Sequence, residues 1–127
     1  MELFDASALY EGFEYPQGLK KIVELDLVYF DWWFIMEAAF ANSYARGLAL
    51  RYPERKLVPF AKREDCDDVA CFEAGKPDKV EVIHDFASPG WEQRQEYDDF
   101  WSWFLAVIQD MVEREREDEK GEVRNER

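Results

Sequence analysis

Between Leu57 and Ala87 the chain reads LVPFAKREDCDDVACFEAGKPDKVEVIHDFA, which is three short β-strand patterns in succession with an acidic loop between the first two. No other stretch constrains the fold as strongly, because it commits the middle of the chain to a sheet. Leu57 to Ala61 is apolar apart from Pro59, a residue expected at a sheet edge. Asp68 to Ala74 sets Val69 and Cys71 on one face and Ala70 and Phe72 on the other. Gly75 to Asp78 supplies a turn, and Lys79 to Phe86 then alternates. Val80, Val82, His84 and Phe86 face one way; Lys79, Glu81, Ile83 and Asp85 face the other, so one side is expected to be core and the other largely wet.

The 127 residues suit one domain, since a second would have no core of its own. With hydrophobic residues at 47% and aromatics at 17%, a packed core is expected everywhere except the ends. Residues 1–15 have no clean period and read as an irregular lead-in, 16–112 as the folded body, and 113–127 as a charged helical extension that frays near Gly121. Pro16 can open a short helix carrying Leu19, Ile22 and Val23. Trp32 to Met36 reads as a buried strand. A helix follows from Glu37, with Phe40, Tyr44, Leu48 and Tyr52 recurring every four residues until Pro53 ends it. After the loop SPGWEQRQE, the segment YDDFWSWFLAVIQDMV is the clearest helix, with Tyr97, Phe100, Trp101, Phe104, Leu105, Ile108 and Met111 on one broad face.

The longest apolar run, Leu27 to Met36, has ten residues and contains Asp31, against the roughly 20 needed to span a bilayer. No charged-then-apolar signal segment opens the chain, so a cytoplasmic location is expected. Cys66 and Cys71 lack any CxxC spacing and read as reduced thiols, Cys71 inside the sheet and Cys66 nearer the surface. The net charge of −13 is unevenly spread: residues 46–63 carry six bases and one acid, whereas 64–112 carry thirteen acids and three bases. Such a field repels nucleic acid and anionic membranes and steers basic proteins inward; it also serves solubility.

LVPFA, an acidic loop, DDVACFE, VEVIHDFA and, after a gap, YDDFWSWFLAVI together give a pattern that resembles the SUKH superfamily (Smi/Knr-type) of bacterial immunity proteins, whose founding eukaryotic members are cell-wall regulators. The resemblance covers roughly residues 16–115 and rests on order and spacing. Its strongest parts are Pro59-Phe60-Ala61, Asp68 to Phe72, His84-Asp85 and Phe100 to Leu105. The chain departs from the family pattern where Cys66-Asp67 replace a usual glycine, and its N-terminal half has no Gly-Gly pair. The resemblance implies an α+β fold: a single, mainly antiparallel sheet with helices packed on one side, including a long C-terminal helix. It also implies a protein that binds and neutralises a cognate toxin without catalysis; the acidic body suits a basic nuclease toxin, and a monomer or weak homodimer is expected. The alternative within the same fold is a general protein-interaction or scaffold domain with an acidic solubilising surface.

The residues expected to meet a partner are Glu64, Asp65, Asp67, Asp68, Asp85, Trp91, Glu92 and Trp103. Glu64, Asp65, Asp67 and Asp68 form the acidic loop, which reads as a solvated turn or a partner-facing patch; the glycine and terminal Glu of an EF-hand are missing. At about 100° per residue Trp103 falls at the edge of its helix's apolar stripe, and Trp91 sits in a Pro-Gly loop. Each is either an anchor for a partner or a plug on the sheet. His84 is the only histidine. Alternation places Asp85 on the opposite face from it, so a half-buried, satisfied histidine is expected. No catalytic group, cofactor or metal ion is expected.

Overall fold

The computed structural model describes residues 1–125. A 3-10 turn (Ala6–Ala8) leads into α1 (Gln17–Glu24), β1 (Trp33–Ile35), α2 (Ala38–Arg51), β2 (Leu57–Arg63), β3 (Asp68–Glu73), β4 (Lys76–His84), β5 (Gln93–Tyr97) and α3 (Phe100–Asn125). The five strands form one open antiparallel sheet in the order β1-β2-β3-β4-β5, so each strand pairs with its neighbour in sequence. The fold is α+β with a long C-terminal helix, as expected. That helix runs on through Gly121, where fraying was expected, to Asn125, and residues 126–127 lie outside the described residues.

Helices cover both faces of the sheet. On one, Val58, Phe60, Ala70, Phe72, Val80 and Val82 pack with Leu19 and Ile22 of α1 and with Phe100, Trp103 and Val107 of α3. On the other, Leu57, Val69, Cys71 and Ile83 meet Ala41 and Leu48 of α2, with Met36 and Tyr52 at its ends. One-sided packing therefore describes α1 and α3, while α2 closes the back. The expected wet face of β4 is buried for the same reason, Glu81, Ile83 and Asp85 included. A sheet covered on both sides uses both sets of alternating side chains, which is why LVPFA and VACF read as continuous apolar runs.

Pro59 lies in an interior strand rather than at an edge. It sits opposite Cys71, and the β2–β3 register shifts between Pro59 and Ala61, a bulge that accommodates the missing N–H. The β3–β4 turn is tighter than expected: only Ala74 and Gly75 separate the paired Glu73 and Lys76, and Gly75 has φ +96°. β5, sequence QRQEY, corrects two expectations: Gln93 to Glu96 as loop and Tyr97 as the start of the last helix, which begins at Phe100. β5 is an edge strand held to β4 by backbone pairing with its side chains largely exposed, so no apolar alternation marks it.

Two helical faces are rotated from expectation. In α2 the sheet-facing residues are Ala41, Ala45 and Leu48, and Phe40 is exposed. Small side chains let the helix approach the sheet, which the aromatic repeat concealed. In α3, Trp103 is fully buried, with its ring centroid 5.0 Å from Phe60 and 5.5 Å from Trp33, while Trp101 and Leu105 are exposed. Asp99 precedes this helix as a cap, its Oδ1 accepting from Ser102 N at 2.7 Å, and the Ser102 hydroxyl, then this N–H, hold its pKa below the usual aspartate value. Gly18 lets α1 press onto the start of α3; a Cβ there would lie 2.7 Å from Phe100 Cδ2 and 2.9 Å from Trp101 Cε2.

Candidate functional site

Antiparallel order puts the β2–β3 hairpin loop (residues 64–67) and the β4–β5 loop (residues 85–92) at the same end of the sheet. Asp85 N donates to Asp67 O at 3.0 Å, joining them. The hairpin loop is tied internally: Lys62 Nζ donates to the carbonyls of Arg63 (3.1 Å) and Cys66 (2.9 Å), and Arg63 grips Asp65 through two bonds of 2.8 and 2.7 Å. That grip holds the Asp65 carboxyl below its ordinary pKa. Glu64, Asp65 and Asp67 remain exposed, as a partner-facing patch requires.

The β4–β5 loop is pinned by two buried carboxylates. Asp85, 1% exposed, accepts from Arg51 Nε and Nη2 at 2.7 Å each and from Phe86 N at 2.8 Å. Glu92 accepts from Gly90 N at 2.7 Å and Arg55 Nη1 at 3.1 Å. Burial pushes the Glu92 pKa up, but backbone amides and Arg55 outweigh it and the net shift is downward. Tyr52 closes the third side, its hydroxyl donating to Ala87 O at 2.8 Å.

Held this way, the loop turns two aromatic rings outward. Phe86 is 64% exposed and Trp91 is 82% exposed. Phe86 also has φ +67°, a left-handed conformation that costs a side chain with a Cβ roughly 1–2 kcal/mol. The Arg51 guanidinium lies 4.3 Å from the Phe86 ring centroid, so the same arginine that holds Asp85 also supports the ring. A large apolar side chain kept in water on a strained backbone contributes little to this chain's own core.

The expected partner residues therefore divide. Glu64, Asp65, Asp67 and Trp91 lie on the surface at this end of the sheet. Asp68, Asp85, Glu92 and Trp103 are buried, so their expected contact with a partner is corrected to a supporting role within the fold. For the three carboxylates the reason is pairing: Asp85 with Arg51, Glu92 with Arg55, and Asp68 with His84 Nδ1 (2.9 Å) and Arg94 Nε (3.2 Å). Trp103 is buried because α3 is rotated so that it faces Phe60. His84 is half-buried and satisfied as expected, although its partner is Asp68 across the β3–β4 ladder rather than a sequence neighbour.

Phe86, Arg51 and Arg55 were missed. Alternation had assigned Phe86 to the Val80 and Val82 face, but β4 ends at His84. The signal for the arginines was the basic segment 46–63: Arg51, Arg55 and Arg63 each pair with an acid from the acidic stretch that follows. Among the described residues no group of three or more His, Cys, Asp or Glu side chains is arranged to hold a metal ion, and no helix is long and apolar enough to cross a membrane. No protein-family model, curated protein or solved structure matches the chain.

Proposed function

We propose that this chain is a non-catalytic immunity protein of SUKH type that binds a basic protein toxin, such as a nuclease, through the sheet end formed by residues 64–67 and 85–92. The observation that carries the reading is the pair of exposed rings, Phe86 and Trp91, on a loop pinned by buried Asp85 and Glu92. Rigid exposed aromatics bind with little ordering cost, and aromatic residues dominate the energetics of protein interfaces. The adjoining carboxylates of Glu64, Asp65 and Asp67 supply the field that draws a positive surface inward. Such a protein works in the cytoplasm beside the toxin's target, as a monomer or weak homodimer, without contacting nucleic acid or membrane.

The test is calorimetric titration of the purified chain with the toxin encoded beside its gene, over a series of salt concentrations. A tight complex that weakens as salt rises is expected, with Trp91→Ala weakening it at least tenfold. A scaffold domain with a merely solubilising surface would keep its binding when Asp65 and Asp67 are both changed to Lys. A complex indifferent to both sets of changes would refute this interface.

A further inference from the structure

On the α2 side of the sheet an open groove of about 750 Å³ runs between the β3–β4 turn and β5, with Arg55, Glu73, Lys76, Glu92 and Glu96 among its walls. Arg55 is fully engaged, with two 3.0 Å bonds to Glu73 and one of 3.1 Å to Glu92. Lys76 is not. Its Nζ sits among three carboxylates without reaching hydrogen-bond distance of any: 3.6 Å from Glu81 Oε1, 3.7 Å from Glu73 Oε1 and 3.8 Å from Glu96 Oε2.

Glu81 is the telling member. Its side chain is 1% exposed, and one oxygen accepts from Gln93 Nε2 at 3.0 Å. The other, Oε1, is buried with no hydrogen-bond partner and faces the Lys76 ammonium. A buried carboxylate oxygen without a donor is costly, and a half-exposed lysine standing off from it is a weak remedy. The tether explains the standoff: Lys76 is fixed by the two-residue turn, next to the strand pair it would have to bridge.

We propose that this groove receives a lysine or arginine side chain from the protein partner, and that Lys76 occupies the position in the free chain and swings out on binding. The inference rests on the immunity reading for the partner's identity and on the groove alone for its chemistry. Charge complementarity selects the occupant, since the four acids Glu73, Glu81, Glu92 and Glu96 face three bases, Arg55, Lys76 and, at the rim beside Glu96, Lys79. A side chain entering from outside is free of the turn and can bring its N–H groups within 3 Å of Glu81 Oε1 and Glu96, the charge-assisted contact that Lys76 does not make. Guanidinium fits better than ammonium, because its fork can address both carboxylates.

The probe is N-acetylarginine methylamide, titrated into the full-length chain while backbone amide shifts are followed by NMR, with N-acetylglutamine methylamide as the neutral control. Shifts confined to Glu73 to Lys76 and Gln93 to Glu96 are expected for the arginine probe alone. Lys76→Ala should tighten binding at least threefold by removing the resident cation, whereas an ordinary structural ion pair would give no tightening. Glu81→Gln, which retains the acceptor for Gln93, should weaken binding at least fivefold, and Glu96→Gln, at the exposed rim, should weaken it too. Shifts centred on Glu64 to Asp67, or an unchanged affinity in Lys76→Ala, would overturn the proposal. A toxin bound equally well by wild type, Lys76→Ala and Glu81→Gln would overturn the groove and leave the immunity reading standing. A groove that takes the probe in a chain that binds no toxin would do the reverse.

Discussion

Replacing Arg51 by methionine should cost more stability than replacing Asp85 by asparagine, although the two side chains share the same pair of 2.7 Å bonds. The asymmetry comes from exposure. Arg51 keeps 30% of its side chain in water, so without Asp85 its guanidinium can rehydrate. Asp85 is 1% exposed, and without Arg51 its charge is stranded. Removing one partner so that the other is left buried and charged costs about 3–5 kcal/mol. Asp85→Asn keeps an acceptor for Phe86 N and loses one charged hydrogen bond, roughly 1–2 kcal/mol. The double variant has neither charge and should fall near the single Asp85→Asn, giving a coupling of about 4 kcal/mol, the whole cost of Arg51→Met. With a urea slope of about 2 kcal/mol per molar for a chain of this size, the midpoint should drop by roughly 2 M in Arg51→Met and by about 0.7 M in Asp85→Asn. Loss of the guanidinium over Phe86 adds at most about 1 kcal/mol to the Arg51 variant and does not change the order. Urea unfolding followed by far-ultraviolet circular dichroism reads all three. If Arg51→Met costs no more than Asp85→Asn, or if the double variant is simply additive, the buried carboxylate is not what pins the loop.

Burial, and then the neighbouring Glu96 carboxylate, raises the Glu81 carboxyl above its ordinary value of 4.5. The folded chain therefore retains a proton that the unfolded chain has released, and stability from this group is full below about pH 4.5 and falls as pH rises through the folded value. Wild type should accordingly lose stability relative to Glu81→Gln as pH rises across that interval, read from urea midpoints; a pH-independent difference would refute the shift. Gly18→Ala should destabilise by about 1–3 kcal/mol in thermal unfolding, since the added methyl meets Phe100 and Trp101 at under 3 Å. Trp103→Ala should cost about 3–5 kcal/mol, whereas Trp91→Ala should stay within about 0.5 kcal/mol by the same measurement. Burial raises both thiol pKa values, that of fully buried Cys71 far more. Iodoacetamide should therefore modify Cys66 slowly in the folded protein and Cys71 only in denaturant, as counted by mass spectrometry.

The strands and helices were legible wherever burial imposes a period. Val69 and Cys71 against Ala70 and Phe72 divide between the two faces as alternation requires. Pro16 caps α1, and α2 ends just before Pro53. Periodicity fails where the cause of structure is not burial. β5 is held by backbone pairing and by polar side-chain contacts, Gln93 to Glu81 and Arg94 to Asp68, so QRQEY carries no apolar signal. In α2 the aromatic repeat suggested the inner face, whereas the close approach of helix to sheet selected Ala41 and Ala45; in α3 the period set Trp103 at the edge of the stripe, whereas the helix is turned to bury it. The surface part of the candidate site was legible as composition, an acidic loop and a tryptophan in a Pro-Gly turn. Its supports were not, because Arg51–Asp85, Arg55–Glu92 and His84–Asp68 are pairings across 34, 37 and 16 positions of chain.

A sheet whose spatial order copies its chain order also sets a sequence of events during synthesis. From β2 onward each strand can pair as soon as the next emerges, with short loops and little entropy to lose, while β1 joins β2 across α2. α2 precedes the strands it covers, so the back of the sheet is sheltered as it forms. The front has only α1 and the N-terminal lead-in, whose Phe13 and Tyr15 pack on Phe72, until α3 is made, and Phe60 and Val80 stay largely bare for that interval. Slowing the ribosome just after residue 97 should therefore prolong an aggregation-prone state, and a chaperone that recognises short apolar stretches has its opening in that pause.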